Sequence, residues 1–145
     1  MDLVDVPLYH KDFGTRTERW IELFDLDKWK FFVACDEEDR LIAGCTIAAN
    51  SKNCHMLEGK DDLAVLWDIR VSDEYKHQGI GQKLFDMALE YVKKAGYKQL
   101  KVECQNTNPA AVNFYHKQGF ILGAINEYAY PDYPNETELL WYLDL

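Results

Sequence analysis

Two glycines, Gly79 and Gly81, follow a polar turn and open a stretch with helical periodicity. The run is Val71-Ser-Asp-Glu-Tyr-Lys76-His77-Gln78-Gly79-Ile80-Gly81-Gln82-Lys-Leu84. An apolar strand ends at Val71, and Ile80, Leu84, Met87, Ala88, Tyr91 and Ala95 then recur at helical spacing up to Gly96. The first turn of a helix carries backbone N–H groups without intrahelical partners, and the helix dipole adds about half a positive charge there. Glycines let that backbone approach a pyrophosphate, which makes the turn a ready anion site. It is not the dinucleotide fingerprint, which needs a third glycine where this chain has Leu84, and it lacks the Gly-Lys-Ser/Thr ending of a P-loop. Loops before helices also carry glycine for conformational reasons alone, so Gly-x-Gly by itself does not choose between a site and a turn.

Other groups could carry chemistry. Asp68 interrupts the apolar run Leu63–Val71, either as a functional acid or as the partner of Arg70 or Lys101. The loop Tyr128-Ala-Tyr130-Pro-Asp132-Tyr133 joins aromatics to an acid, which suits a cationic amine or simple surface packing. The cysteines Cys35, Cys45, Cys54 and Cys104 form no CxxC pair, and the histidines complete no zinc spacing, so no metal is expected. A net charge of −9 argues against nucleic acid. It either steers a cationic substrate or serves solubility alone. No signal peptide and no apolar run near the roughly 20 residues of a membrane span is visible. The expectation is a cytoplasmic protein without membrane contact.

These groups need positioning elements. A helix is expected over Thr15–Leu26, capped by Thr15 or Thr17, then a hairpin of Trp29–Cys35 and Leu41–Ala49, and a polar loop over Ser51–Asp62. In the strand Leu63–Val71, residues Leu63, Val65, Trp67, Ile69 and Val71 should share one face, with Ala64 and Leu66 keeping the other apolar. Such a strand belongs at the centre of a sheet. After the helix from Ile80, the strand Leu100–Cys104 alternates apolar residues with Lys101, Glu103 and Gln105. Asn108-Pro109 has the N-cap and first-turn residues of a helix running to Gln118, with Gly119 as its stop. Strands over Phe120–Ile125 and Glu138–Leu143 close the chain. The strand–helix–strand unit should be a right-handed crossover joining parallel strands, with hairpins on either side. Residues 1–145 thus make a single α+β domain.

The run Lys76-His77-Gln78-Gly79-Ile80-Gly81 resembles motif A of the GNAT N-acetyltransferases, Gln/Arg-x-x-Gly-x-Gly/Ala, with Lys at the first position. Asn108-Pro-Ala-Ala-Val-Asn113-Phe114-Tyr115-His-Lys117-Gln-Gly119-Phe120 resembles the family's Asn-x-x-Ala-x-x-Phe-Tyr-x-x-x-Gly-Phe signature. The likeness covers Trp29 to the C-terminus and is greatest to streptothricin-type acetyltransferases, through Trp67–Val71, Val102–Asn106, Phe120–Ile125 and Glu138–Leu143. It implies a mixed, largely antiparallel twisted sheet of six or seven strands with helices on both faces. With fewer than 30 residues before Trp29, the family's first strand is either vestigial around Leu3–Leu8 or missing.

The resemblance also implies direct transfer from acetyl-CoA to a primary amine. The expected acceptor is a small cationic molecule such as a streptothricin- or polyamine-like amine. Tyr115 matches the general acid. Asp68 and Glu103 compete as general base, with a water relay as third choice; Glu103 could equally be a solvated alternate of its strand. Backbone N–H groups of Ile69 and Val71 would hold the cofactor's pantetheine arm and thioester. Lys76, His77, Gln78, Gly79, Ile80, Gly81 and Gln82 would hold its pyrophosphate, Asn108 would contact pantetheine, and Asn113 and Lys117 would be further contacts to CoA. Trp67, Tyr128 and Tyr130 would line the acceptor pocket. A peptide N-terminus or lysine as acceptor, and a non-catalytic CoA-binding module, are the alternatives. The oligomeric state is open, a homodimer included.

Overall fold

The structure, a computed structural model, describes residues 20–145. The strand expected around Leu3–Leu8 and the caps Thr15 and Thr17 lie outside the described residues. After the short helix α1 (Trp20–Leu23) come β1 (Lys30–Cys35), β2 (Leu41–Ala48) and β3 (Leu63–Val71). Helix α2 (Ile80–Lys94) leads to β4 (Gln99–Gln105), α3 (Pro109–Lys117), β5 (Ile121–Asn126) and β6 (Glu138–Asp144). The strands form a six-stranded sheet in the order β1-β2-β3-β4-β6-β5. Every neighbouring pair is antiparallel except β3 and β4, the pair joined by the crossover helix α2. This is the expected mixed, largely antiparallel α+β sheet.

Local chemistry sets the ends of the elements. Gly79 enters α2 at φ 80°, and Gly96 leaves it at φ 87°, conformations that side chains with a Cβ resist. The Asn108 side-chain oxygen accepts from the Ala111 N–H at 3.1 Å and caps α3, with Pro109 at its first position. Asp36 closes the first hairpin by accepting from the N–H groups of Glu38 and Arg40.

Helices cover both faces. On one, α2 and α3 pack against β2, β3 and β4 around the fully buried Phe85, whose ring meets Phe114 edge-on at 5.5 Å and lies 6.0 Å from Phe120. On the other, Trp20 of α1 and Phe24 close with Trp29 and Trp67 into an aromatic layer. The polar alternates of β4 face this second layer rather than solvent. Lys101 is only 4% exposed, and its Nζ donates to the Met56 carbonyl at 3.0 Å and pairs with Glu58 at 3.2 Å. The run expected as a polar loop, Ser51–Asp62, is thereby fastened to the sheet. It carries a 3-10 turn at His55–Leu57, with Met56 and Leu57 buried.

The single-face alternation expected for β3 is overturned. Ala64, Leu66, Ile69 and Val71 lie on the α2 side, whereas Val65 and Trp67 belong to the aromatic layer. The cause is a β-bulge: Thr46 of β2 pairs with Asp68 and the next residue, Ile47, with Leu66, so Trp67 is extra. An extra residue reverses the side-chain alternation beyond it and bends the strand. Beyond the bulge β3 leaves its parallel neighbour, with β3–β4 pairing running from Leu63↔Gln99 only to Leu66↔Val102.

Truncating Phe85 to Ala should lower unfolding free energy by about 3–5 kcal/mol, whereas Met87→Ala on the exposed face of α2 should stay within about 0.5 kcal/mol. Urea denaturation of the two variants checks this; equal effects would remove Phe85 from the centre of the packing.

Candidate active site

The split between β3 and β4 opens a groove of about 660 Å³. One wall runs from Ile69 and Val71 through the turn at Tyr75–His77 to Gly79, Ile80, Gly81 and Gln82. His77 at φ 62° and Gly79 at φ 80° are both left-handed, and no side chain caps α2. The N–H groups of its first turn therefore converge on the groove, as in the backbone nests that hold anions. A Cβ on Gly81 would sit 3.5 Å from Val71 Cγ2, so anything larger than a methyl group meets the end of β3. Lys76 pairs with Asp73 at 2.7 Å on the rim. Gln78 stays off the groove, its amide donating to the Glu74 carbonyl at 3.4 Å.

The Ser72 N–H donates to the Ile42 carbonyl at 2.8 Å. Because N–H directions alternate along an extended strand, those of Val71 and Ile69 point to the opposite edge, where the split lies. The far wall is α3, through Asn108, Ala111, Phe114 and Tyr115. Gln82 and Gln118 exchange side-chain hydrogen bonds at 3.0 and 2.8 Å and tie the two helices together. Gln105, Thr107 and Glu136 also line the groove, with the Thr107 hydroxyl bonded to the buried Glu136 carboxylate. Sequence reasoning missed these three as site residues: Gln105 and Thr107 adjoin the Asn108 motif, which could have signalled them, whereas Glu136 carries no local signal and arrives only through the return of β6.

A second cavity, of about 330 Å³, opens on the aromatic-layer side. It shares Ile69, Gln105, Asn108, Ala111 and Tyr115 with the groove. Tyr115 is 6% exposed and packs edge-on between Phe114 and Phe120, each with ring centroids 5.6 Å away. Trp67, Asp68, Glu103 and Tyr130 line the second cavity, as does Glu138, which sequence reasoning missed. Glu138 stands opposite Gln105 in the β4–β6 register, a pairing with no local signature.

The two candidate carboxylates differ. Asp68 is held by Arg70, whose Nε lies 2.9 and 2.8 Å from its two oxygens, although burial still raises its pKa against that attraction. Glu103 Oε2 accepts from the Tyr130 hydroxyl at 2.9 Å, and that hydroxyl accepts from Gln105 Nε2 at 3.1 Å. Burial first, then a hydrogen bond and repulsion from Glu138, push Glu103 up to about 8 against the pull of Tyr130 and Lys101. Burial likewise raises the Tyr130 phenol. The remaining expected site residues lie apart: Tyr128 is 88% exposed, Asn113 and Lys117 are exposed on α3, and all three stay outside both cavities.

The profile of the acetyltransferase (GNAT) family matches residues 5–120. The chain belongs to this family. Streptothricin acetyltransferase A of Bacillus subtilis is 36% identical over 81 residues, 54% of this chain and 47% of the relative. The ribosomal protein bS18-alanine N-acetyltransferase of Escherichia coli is 33% identical over 70 residues, 48% of this chain and 47% of the relative. The chain thus spans about half the length of the curated relatives it matches. Among solved structures, a candidate streptothricin acetyltransferase of Bacillus anthracis in complex with acetyl coenzyme A superimposes with a TM-score of 0.66 and 25% identity, over 79% of this chain and 62% of that one. The groove of this GNAT domain fits such a cofactor in its own right: unpaired first-turn N–H groups suit a pyrophosphate, and an apolar cleft beside an open strand edge suits an extended amide-bearing arm.

The Glu103 shift has a stability consequence. Its folded pKa lies above the unfolded value, so the native state binds the extra proton and loses stability as pH rises from about 4.5 to about 8. Glu103→Gln, which cannot ionise, should therefore melt increasingly above wild type across that interval and match it at the acid end. Thermal melts at several pH values test this, and parallel curves would refute the raised carboxyl.

Proposed function

We propose that the chain transfers the acetyl group of acetyl-CoA to the primary amine of a small cationic molecule, by direct attack in a ternary complex. The observation that carries this reading is the shared wall: Tyr115, Gln105 and Ile69 stand where an anion-binding groove meets a cavity lined by carboxylates and aromatics.

In this reading the turn Lys76–Gln82 and Asn108 hold the cofactor. When bound, acetyl-CoA supplies an activated acyl group on a thiol leaving group. The N–H groups of Ile69 and Val71 polarise the acyl oxygen and receive the charge that develops there. An alkylammonium has a pKa of about 10.4 in water, so the acceptor must first give up a proton. Glu103 takes that role in preference to Asp68, whose carboxylate Arg70 already occupies. Trp67 and Tyr130 form the aromatic wall against which a cation rests. Tyr115 holds its proton at the hydroxyl for the departing sulfur. A peptide amine is the second reading, favoured by the likeness to the ribosomal-protein enzyme; the small size of the cavity favours the first.

Calorimetric titration with acetyl-CoA, followed by thiol-release assays over polyamines, aminoglycosides, streptothricin and peptides, tests both. Gly81→Val should raise the acetyl-CoA dissociation constant tenfold or more, about 1.4 kcal/mol. Tyr115→Phe should leave that constant unchanged and cost no more than about 0.5–1.5 kcal/mol of stability. It should still slow turnover by roughly 10- to 1000-fold with the best acceptor. A chain that binds acetyl-CoA yet acetylates no amine would be a binding module, and normal turnover in Tyr115→Phe would move the acid elsewhere.

A further inference from the structure

On the aromatic-layer face of the sheet, Gln105 stands opposite Glu138 and Glu103 opposite Leu140, which makes Glu103 and Glu138 diagonal neighbours. Both line the smaller cavity, where the Glu138 carboxyl works against ionisation of Glu103. Two carboxylates ionised side by side repel each other, and one proton held by the pair removes that repulsion.

We propose that Glu103 and Glu138 form one receptor for the acceptor's ammonium group, with Glu138 as the positioning residue that keeps a proton on Glu103 until the amine arrives. This rests on the acetyl-transfer reading above. The charges facing the pair from other elements support the assignment. Asp68 on β3 is balanced by Arg70, and the Lys101 ammonium on β4 is drawn to the Met56 carbonyl and Glu58, which also accepts from Tyr142 of β6. His55, Cys104 and Tyr115 line the same cavity, and the Tyr130 hydroxyl reaches Glu103 from the loop before β6. Burial and Glu138 together outweigh Tyr130 and Lys101 at Glu103, so the empty pair holds one proton at neutral pH.

The proton balance follows. An alkylammonium entering the cavity places a positive charge against the pair, and the shared proton leaves to water. The pair then takes one proton from the ammonium nitrogen, which keeps its electron pair and becomes a neutral nucleophile. The pair ends as it began, singly protonated, and one proton has passed to solvent for each amine bound. The acceptor class is therefore a primary ammonium able to surrender a proton; a quaternary ammonium has none to give.

The probe is cadaverine, titrated calorimetrically into the CoA-loaded protein near neutral pH in buffers of different ionisation enthalpy. Wild type should release about one proton per cadaverine and Glu138→Gln clearly less, because without its neighbour more of Glu103 is ionised before the amine arrives. Glu138→Asp should restore part of the release. In carboxyl carbon NMR titrations without ligand, Glu103 should titrate at lower pH in Glu138→Gln, and the acid limb of kcat/KM should shift the same way. Unchanged Glu103 titration and unchanged proton release in Glu138→Gln would overturn the proposal. If amines are acetylated but release is identical in both proteins, this inference falls alone. If no amine is acetylated while the Glu138-dependent release persists, the acetyl-transfer reading falls and the receptor stands. Should Glu138→Gln fail to fold, the wild-type resonances decide: two common titration steps support the pair, and independent single steps overturn it.

Discussion

Both candidate cavities of this molecule border two parallel strands that pair for only part of their length. Strands β3 and β4 pair from Leu63 to Leu66 and then part, because the extra residue Trp67 bends β3 away from its neighbour. A strand edge opened in the middle of a sheet leaves N–H groups that must find partners elsewhere, since unpaired buried backbone groups are costly. The split is thus both a structural defect and a template for an extended, amide-bearing ligand. The helices complete it: α2 begins at the turn after β3 and α3 after β4, so both N-termini fall at the same end of the split.

The second dependence is electrostatic. The sheet face beside the split carries Lys101, Glu103 and Glu138 under an aromatic layer, with little water to solvate them. Burial disfavours charge, so a buried ionisable group tends to be paired or shifted. Lys101 is paired with Glu58, Asp68 with Arg70, and Glu103 is shifted.

The elements were legible because their signals are local. Asn108-Pro109 marks a helix start, glycines at 79, 96, 119 mark turns or stops, and the boundaries of β3 follow its apolar run. The bulge was not legible: Trp67 looks like one more member of an alternating set, and only the pairing of Thr46 with Asp68 reveals the slip. For the same reason Glu138 escaped notice, since register between β4 and β6 brings it to the site across more than thirty residues, and Glu136 just before β6 reaches Thr107 in the same way. Tyr128 was the opposite error of inference, an aromatic in a promising loop whose ring faces outward while its neighbour Tyr130 turns in. Composition marks such a loop as interesting without saying which ring is used.

The shared wall of the two cavities has a thermodynamic meaning. The ring of Tyr115 belongs to both, packed edge-on between Phe114 and Phe120. A ligand in the groove that favours one placement of that ring changes the binding free energy offered by the second cavity. Linkage requires the reverse effect to be of equal size. Occupants of the two cavities are then coupled through a single side chain, by as much as two phenylalanines let that ring shift.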